Sequence, residues 1–416
     1  MRTLLRTAVS SLRHPDFFRL WSGLGVSQIG SQVTQVAVAY QLYQLTHSPL
    51  SLGLVGLFRF LPILLSSLLA GQLADSRDRR RLMLVTQGTM LVNASAMAVL
   101  TLSGRTTPTA IYVFVFVSGL AFAFDAPARH ALVPNLVSAE ELPNALSLNI
   151  TVFQLATVIG PGLGGQLLIV GGPALAYALD AVSFAVLIFQ LWRLEYRARV
   201  VEKPLVVSLD AFRDGLRFMA SRPELLWLMV LDFVATFFAG SLLLLPLYAD
   251  QLLHVGVRGL GSLYAAPAVG AVLASLVMAS RPPLRRQGAV VVVSVVAYGA
   301  AVALFGASRS FPLSLMLLAL SGAADTVSMV VRNTVRQLRT PDALRGRMTA
   351  LNQLFFVGGP QLGEVEAGVV AKLTSAQVSV VSGGVLCVLA ALALGRWATP
   401  LLRLRATAVP KVAAET

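Results

Sequence analysis

GQLADSRDRRRLMLVTQGTMLVNASAMAVLTLSGR, residues 71–105, decides how the rest of the chain is read. Its first eleven residues carry four arginines and two aspartates. Positions 82–104 then contain no Asp, Glu, Lys or Arg. A charge-free run of this length reaches the roughly 20 residues that cross the hydrocarbon core of a bilayer. The stretch reads as a basic loop at a membrane surface feeding a spanning helix. The pattern recurs: 106–124, 233–249, 259–280, 287–308 and 373–395 are also free of charge. So are 20–58 and 142–179, each long enough for one spanning helix and part of the next. His47-Ser48-Pro49 breaks the first of these and Gly171-Gly172-Pro173 the second, as turn chemistry requires.

Composition leads to the same place. The 416 residues are 56% hydrophobic and 12% charged, with a mean hydropathy of +0.75, whereas a soluble domain carries roughly 25% charged residues. The net charge of +14 would suggest nucleic acid in a soluble protein, but the basic residues lie in loops between apolar spans and form no aromatic-interleaved patch. The better reading is the positive-inside bias of a membrane protein. The single cysteine, Cys387, excludes disulfides and cysteine metal sites within the chain. His14, His47, His130 and His254 are scattered without metal-ligand spacing. No phosphate-binding G-x-x-x-x-G-K-[ST] loop and no catalytic cluster occurs, so no cofactor, metal or enzymatic chemistry is expected. The first apolar stretch, after Arg2, Arg6, Arg13 and Arg19, is too long for a signal-peptide core and reads as a retained helix.

The spacing predicts helices over 17–45, 50–74, 81–103, 107–128, 144–170 and 173–193, then 224–250, 258–280, 287–307, 311–331, 345–371 and 375–398. Strands are excluded because an open sheet cannot satisfy its backbone in lipid and a barrel would alternate. With both termini on the cytoplasmic side, 28 of the 33 Lys and Arg fall in cytoplasmic segments, Arg332–Arg347 among them. Of the other five, Arg105, Arg258, Arg309 and Lys372 lie in or beside outer loops and Arg59 lies within helix 2. So lopsided a split fixes an even number of helices with both ends inside. The longest polar segment is central. It divides the chain into an N-terminal six-helix bundle (1–194), a cytoplasmic linker (195–222, with an interfacial helix at 208–220) and a C-terminal six-helix bundle (223–416). The halves echo each other. Ser118-Gly119, Arg129 and Asn149 match Ser321-Gly322, Arg332 and Asn352 at an offset of 203. Gly160-Pro161-Gly162-Leu163-Gly164 matches Gly359-Pro360-Gln361-Leu362-Gly363 at an offset of 199. This is the parallel repeat expected when two halves rock about a midplane site.

Three motifs stand out. In Gly71–Arg81, Gly71 would let helix 2 approach a neighbour closely, Asp75 can meet a helix N-terminus or an arginine of the other half, and the arginines hold the loop at the headgroups. In helix 5, Gly160 and Gly164 form a small-xxx-small surface and Pro161 permits a bend, with Gly165 beside them. Close packing alone is the alternative reading of that motif. The third set is 209–218 before helix 7, 263–271 in helix 8 and 339–347 before helix 11. The first motif resembles the signature loop of the major facilitator superfamily, G-x-L-A-D-R-x-G-R-R. In this chain Ser76 and Asp78 replace its first basic residue and second glycine. The resemblance implies a gate latch built on Asp75, Arg79 and Arg80. The helix-5 string resembles the G-P-x-x-G-G motif of that superfamily's drug exporters. With the third set, the chain is similar over nearly its whole length to the branch that holds enterobactin exporters and macrolide-efflux-like proteins. That implies twelve transmembrane helices in two pseudo-symmetric six-helix bundles.

Ionisable residues inside spans are costly and are functional candidates by default. Asp325 (helix 10) and Asp232 (helix 7) are the leading proton carriers, because the superfamily fold lines its cavity with helices 1, 4, 7 and 10. Bonding to a neighbouring helix is the alternative for each. Glu364 and Glu366 (helix 11) point about 200° apart, so at most one reaches the cavity. Asp180 reads as structural. Asp125 and Arg129 are four apart and are expected to pair at the gate. Arg59 would neutralise a carboxylate or attract anionic cargo. Tyr40, Tyr43, Phe237, Phe238, Phe355 and Phe356 are candidates for stacking on cargo, with packing as the blander reading. The expected protein is a monomeric secondary transporter of a bacterial inner membrane. It would export a siderophore-like or drug-like small molecule by alternating access, in exchange for protons. Uptake and lipid or lysolipid transport by the same fold are the alternatives.

Overall fold

His47 ends the first long helix in a left-handed conformation (φ 46°), with its N–H bonded to the Tyr43 carbonyl at 2.7 Å. Ser48 then caps the next helix by accepting from Ser51 N–H, and Pro49 takes the first helical position, where its missing N–H costs nothing. The computed structural model describes residues 10–138, 140–195, 217, 219–240, 242–280, 286–340, 342–398 and 402. These residues form helices and no strand. In chain order they are α1 (Pro15–Thr46), α2 (Pro49–Ser76), α3 (Arg79–Leu102) and α4 (Pro108–Leu132). The stretch Leu142–Trp192 kinks at Gly172 (φ 65°), a backbone region that favours glycine, and yields α5 (142–171) and α6 (173–192). Then follow α7 (Pro223–Ala239), α8 (Gly256–Ala279), α9 (Gln287–Ala307), α10 (Phe311–Arg339), α11 (Asp342–Leu373) and α12 (Ala376–Trp397). Most of the expected 195–222 linker lies outside the described residues, including most of its 208–220 helix.

By length and composition, nine stretches among the described residues are able to cross a membrane. One of them, Asn144–Trp192, is 49 residues long and covers both α5 and α6. α1 and α11 are not in that set. α1 carries a polar run (Ser27, Gln28, Ser31, Gln32, Gln35), and the described part of α11 carries Glu364, Glu366 and Lys372. Large apolar side chains cover the outside, among them Val170, Leu102, Leu65, Val92 and Leu276. A surface of this kind belongs in lipid.

The sequence repeat is a packing repeat. Gly119 of α4 lies against the Arg59 carbonyl and Pro62 of α2, and its counterpart Gly322 of α10 lies against Pro267 of α8. Gly160 and Gly164 of α5 pack on Gln32, Val33 and Val36 of α1, while Gly359 and Gly363 of α11 pack on Phe233 and Phe237 of α7. The halves meet along α2–α11 and α5–α8. A Cβ on Gly53 would lie 2.9 Å from the Gly368 Cα, and one on Gly261 would lie 2.8 Å from the Gly165 Cα. Such near-contact of backbones is what small residues permit. These contacts sit in the first turns of α2 and α8 and the last turns of α5 and α11. In an up-and-down bundle that is one end, the end away from the N-terminus of α1.

Three expectations are corrected. A Cβ on Gly71 would meet nothing within 4 Å, so that glycine does not bring α2 against a neighbour. α10 runs to Arg339, eight residues past the predicted 331, because its last turns are amphipathic and the basic residues there belong to the helix. The predicted 224–250 helix stops at Ala239, and the chain resumes in short 3-10, α and π turns from Leu242 to Leu252. Gly240 and Pro246 both weaken a helix there.

Glycines that look alike in sequence should therefore respond differently to substitution. A Cβ on Gly384 of α12 would lie 2.6 Å from the Gly299 carbonyl of α9. Gly384→Val is expected to destabilise by about 1–3 kcal/mol through overpacking, read as a lower thermal midpoint in detergent. Gly71→Ala should leave the midpoint unchanged or raise it, since alanine is the better helix former by about 0.5–1 kcal/mol.

Candidate functional site

α10 presents Asp325, Arg332, Arg336 and Arg339 at spacings of seven, four and three, which is one helical face. α7 answers with Glu224 and Asp232, about two turns apart. Arg332 Nη2 lies 2.7 Å from Asp232 Oδ1 and 3.7 Å from Asp325 Oδ1. Arg336 adds a second positive charge acting on Asp232, and Arg339 Nη1 lies 3.6 Å from Glu224 Oε1. Asp232 and Arg332 are buried, whereas the Asp325 side chain remains 46% exposed. Asp325 also lines a cavity of about 110 Å³ with Leu242, Pro267, Tyr298, Val302 and Ser321, at the break in α7. One guanidinium is thus shared between two carboxylates, one sealed and one accessible. Arg332 was expected in a cytoplasmic loop, and the structure corrects this. Its signal was present: Arg332 stands seven residues after Asp325, on the same face.

The aromatic candidates divide. Phe237 and Phe355 come together around Phe233, which the sequence reading passed over despite its i, i+4 spacing from Phe237. Phe233 stacks on Phe237 at 5.8 Å and meets Phe355 edge-on at 6.0 Å, and Phe238 stands edge-on to Phe237 at 5.0 Å. The side chain of Phe356 lies outside the described ones. Tyr43 does not join this wall. It is fully buried and donates to Asp250 Oδ2 at 2.7 Å. This hydrogen bond joins the two halves, and Gln251 beside Asp250 also bonds the same tyrosine. Tyr40 packs, half-buried, against the core on the same helix. Tyr43 therefore belongs to the contact between the halves, and its expected place on a cargo wall is corrected.

Glu364 sits over Gly56 of α2, where a Cβ would be 2.9 Å from its carboxylate, and the charge of Arg59 acts on it. Glu366 is half-buried on the other side of α11. Asp180 is buried in α6, receives the Ser183 hydroxyl at 3.2 Å and packs on Gly30 of α1.

In the N-terminal half the expected Asp125–Arg129 pair is absent among the described residues. Asp125 instead accepts from Thr86 Oγ1 at 3.0 Å and Gln87 Nε2 at 2.9 Å, so α3 supplies neutral donors and satisfies the carboxylate without an arginine. The basic loop caps helix ends. Arg79 donates to the Ala131 carbonyl at 3.1 Å, and Arg80 donates to the Leu191 and Trp192 carbonyls at 2.8 and 2.7 Å. Cations at the C-terminal ends of α4 and α6 meet unpaired carbonyls and the negative end of the helix dipole. Asp78 caps α3 by accepting from the N–H groups of Arg80 and Arg81. That gives the residue standing in for the signature's glycine a role of its own. The Asp75 side chain lies outside the described ones. Gly160 and Gly164 form the α1-facing surface of α5, Pro161 lies inside that helix, and Gly165 touches α8 across the seam.

Removing one member of a buried ion pair costs about 3–5 kcal/mol because the other is left uncompensated. Arg332→Gln is therefore expected to lower the thermal midpoint in detergent. The double variant Asp232→Asn, Arg332→Gln should recover more than half of that loss.

The family model described as transmembrane secretion effector matches residues 6–411. Among curated relatives, the enterobactin exporter EntS of Citrobacter koseri is 28% identical over 374 residues, covering 89% of each chain. EntS of Escherichia coli is 27% identical over 355 residues, covering 85% of each. Among solved structures, an inward-facing, occupied bacterial homologue of the human lysosomal transporter Spinster superposes with a TM-score of 0.74 at 14% identity, over 95% of this chain and 99% of that one. An inward-facing bacterial homologue of the iron transporter ferroportin gives 0.68 at 17% identity, over 92% and 99%. The helical bundle, its apolar exterior and the whole-chain family match agree: the chain belongs to the transmembrane secretion effector family of the major facilitator superfamily, and is a multi-pass membrane transporter, not an enzyme.

Proposed function

We propose that this protein exports a small aromatic or siderophore-like molecule across a bacterial inner membrane by alternating access, in exchange for protons. The observation that carries the reading is Arg332 shared between Asp232 and Asp325, with Asp325 facing the cavity. Charge inside a span is costly, so such a cluster marks a pathway. A proton on Asp325 would leave Arg332 to Asp232 alone and change the charge of the cavity wall. The Phe233, Phe237 and Phe355 rings offer stacking faces for flat cargo. The names of the relatives support a siderophore as cargo.

The count of basic residues supports both termini in the cytoplasm. On that orientation the Gly53–Gly368, Gly165–Gly261 and Tyr43–Asp250 contacts close the outer face. This conformation is then the one that receives cargo from inside. In the gate loop, Arg79 and Arg80 would hold the N-terminal half rigid while Asp75 works as the latch. The transporter is taken to act as a monomer.

The test is transport in proteoliposomes under an imposed pH gradient, with catecholate siderophores, macrolides and dye cations added in turn. At least one compound is expected to dissipate the gradient in wild type, and Asp325→Asn should reduce that proton flux at least tenfold. Equal flux in both proteins would remove Asp325 from the mechanism. No flux with any compound would overturn proton antiport and direct the search to lipid cargo.

A further inference from the structure

The α2–α11 seam is built on glycine, yet it buries a carboxyl oxygen. Gln361, Glu364 and Gly368 lie three and four residues apart on the face of α11 that meets Gly53 and Gly56 of α2. A Cβ on Gly56 would stand 2.9 Å from Glu364 Oε2, and one on Gly53 would stand 2.7 Å from the Glu364 carbonyl. The glycines bring no side-chain donor, and their N–H groups are committed to the helix. Two buried polar atoms at this seam have no hydrogen-bond partner, Glu364 Oε2 and Gln361 Oε1, and the Tyr264 hydroxyl of α8, on which the Glu364 charge acts, has none either. Two of these are acceptors without a donor. Leaving a buried, ionised carboxylate oxygen without a donor is costly. A proton turns that oxygen into a donor, and Gln361 Oε1, three residues earlier on the same face of α11, is an acceptor that lacks one.

We propose that the α2–α11 seam is a proton-binding site distinct from the Asp232–Arg332–Asp325 cluster: Glu364 must carry a proton for the two halves to close at this end. The charged and titratable groups around it are few. Arg59 of α2 acts on it through space, and Tyr264 of α8 is the other titratable neighbour. On α7, Glu224 and Asp232 are paired to Arg339 and Arg332, and the Asp250 beyond it holds Tyr43. α12 carries no acidic or basic side chain except Arg396 at its far end, and on α11 Glu366 points away while Lys372 lies two turns on. Resting on the antiport reading above, the site gives it a rule: the empty carrier returns to this conformation only after taking up a proton at the closing face.

The sign follows from linkage. If the closed seam binds the proton more tightly than the open one, lowering the pH populates the closed form, by up to about tenfold in the closed-to-open ratio per pH unit. Spin labels at Gln44→Cys and Thr374→Cys, exposed on opposite halves at this end, in a Cys387→Ser background, report that ratio as a distance distribution in nanodiscs. Wild type should gain the short distance between pH 8 and pH 5. Glu364→Gln, a neutral isostere, should hold the short distance at both, and Glu366→Gln, on the other side of α11, should respond as wild type does. A pH-independent wild type overturns the proposal whatever the variants do. It is also overturned if Glu364→Gln follows pH as wild type does, or if Glu366→Gln loses the response. None of these readings uses cargo, so the seam proposal and the antiport proposal fail separately.

Discussion

A bilayer core supplies no water, so every polar group within it must find a partner inside the protein. The rest of this structure depends on that constraint. It explains why the described chain is helical, with backbone bonds closed within each element. It also explains the side-chain bonds that join helices: Gln41 to Tyr177 and Thr101, Asn93 to Phe114 and Ser118, and Thr86 and Gln87 to Asp125. Where helices end, the same constraint recruits Arg79 and Arg80 to bare carbonyls. A polar atom that escapes it is therefore informative, and Glu364 Oε2 is one such atom.

The two halves share a packing plan but not a chemistry. Glycines at matching positions set α4 on α2 and α10 on α8, and α5 on α1 and α11 on α7. Arg129 and Arg332 also match in sequence, yet Asp125 near the first is satisfied by neutral donors while Asp232 and Asp325 share the second. Symmetry of the scaffold thus leaves the charges free to differ. Among the described residues, the ion pairs of Arg332 with Asp232 and Asp325 lie in the C-terminal half, while the buried Asp125 and Asp180 of the N-terminal half are met by neutral donors.

Much of the fold was legible in residues 71–105 and their echoes, because a bilayer imposes a length and a polarity that a single sequence displays. The breaks at His47-Ser48-Pro49 and Gly172-Pro173 were legible for a similar reason, since turn chemistry is local. The glycine repeat was visible, but its partners were not, because a glycine in a helix does not say which face is crowded. Gly71 and Gly384 are equally plausible in sequence, and only the second is enclosed. The site was half legible. Asp232 and Asp325 stand out as acids in apolar runs. Arg332 was hidden because a cation near the end of a span looks the same whether it faces headgroups or a buried carboxylate. Asp125 misled in the opposite way: an arginine four residues on suggested a pair, and the neutral donors on α3 could not be seen from α4.

The glycine seam has a consequence for how the molecule moves. Glycine has no side-chain rotamers, so closing Gly53 on Gly368 and Gly165 on Gly261 freezes none there, and parting them disengages no interlocked side chains. The two shapes can therefore lie near each other in free energy. A differential affinity of about 5.5 kcal/mol carries such an equilibrium from 1:99 to 99:1, and smaller biases shift the logarithm of the ratio in proportion. Backbone contacts of this kind add no rotamer cost of their own at this end, so what holds it together falls to side-chain contacts such as Tyr43 with Asp250.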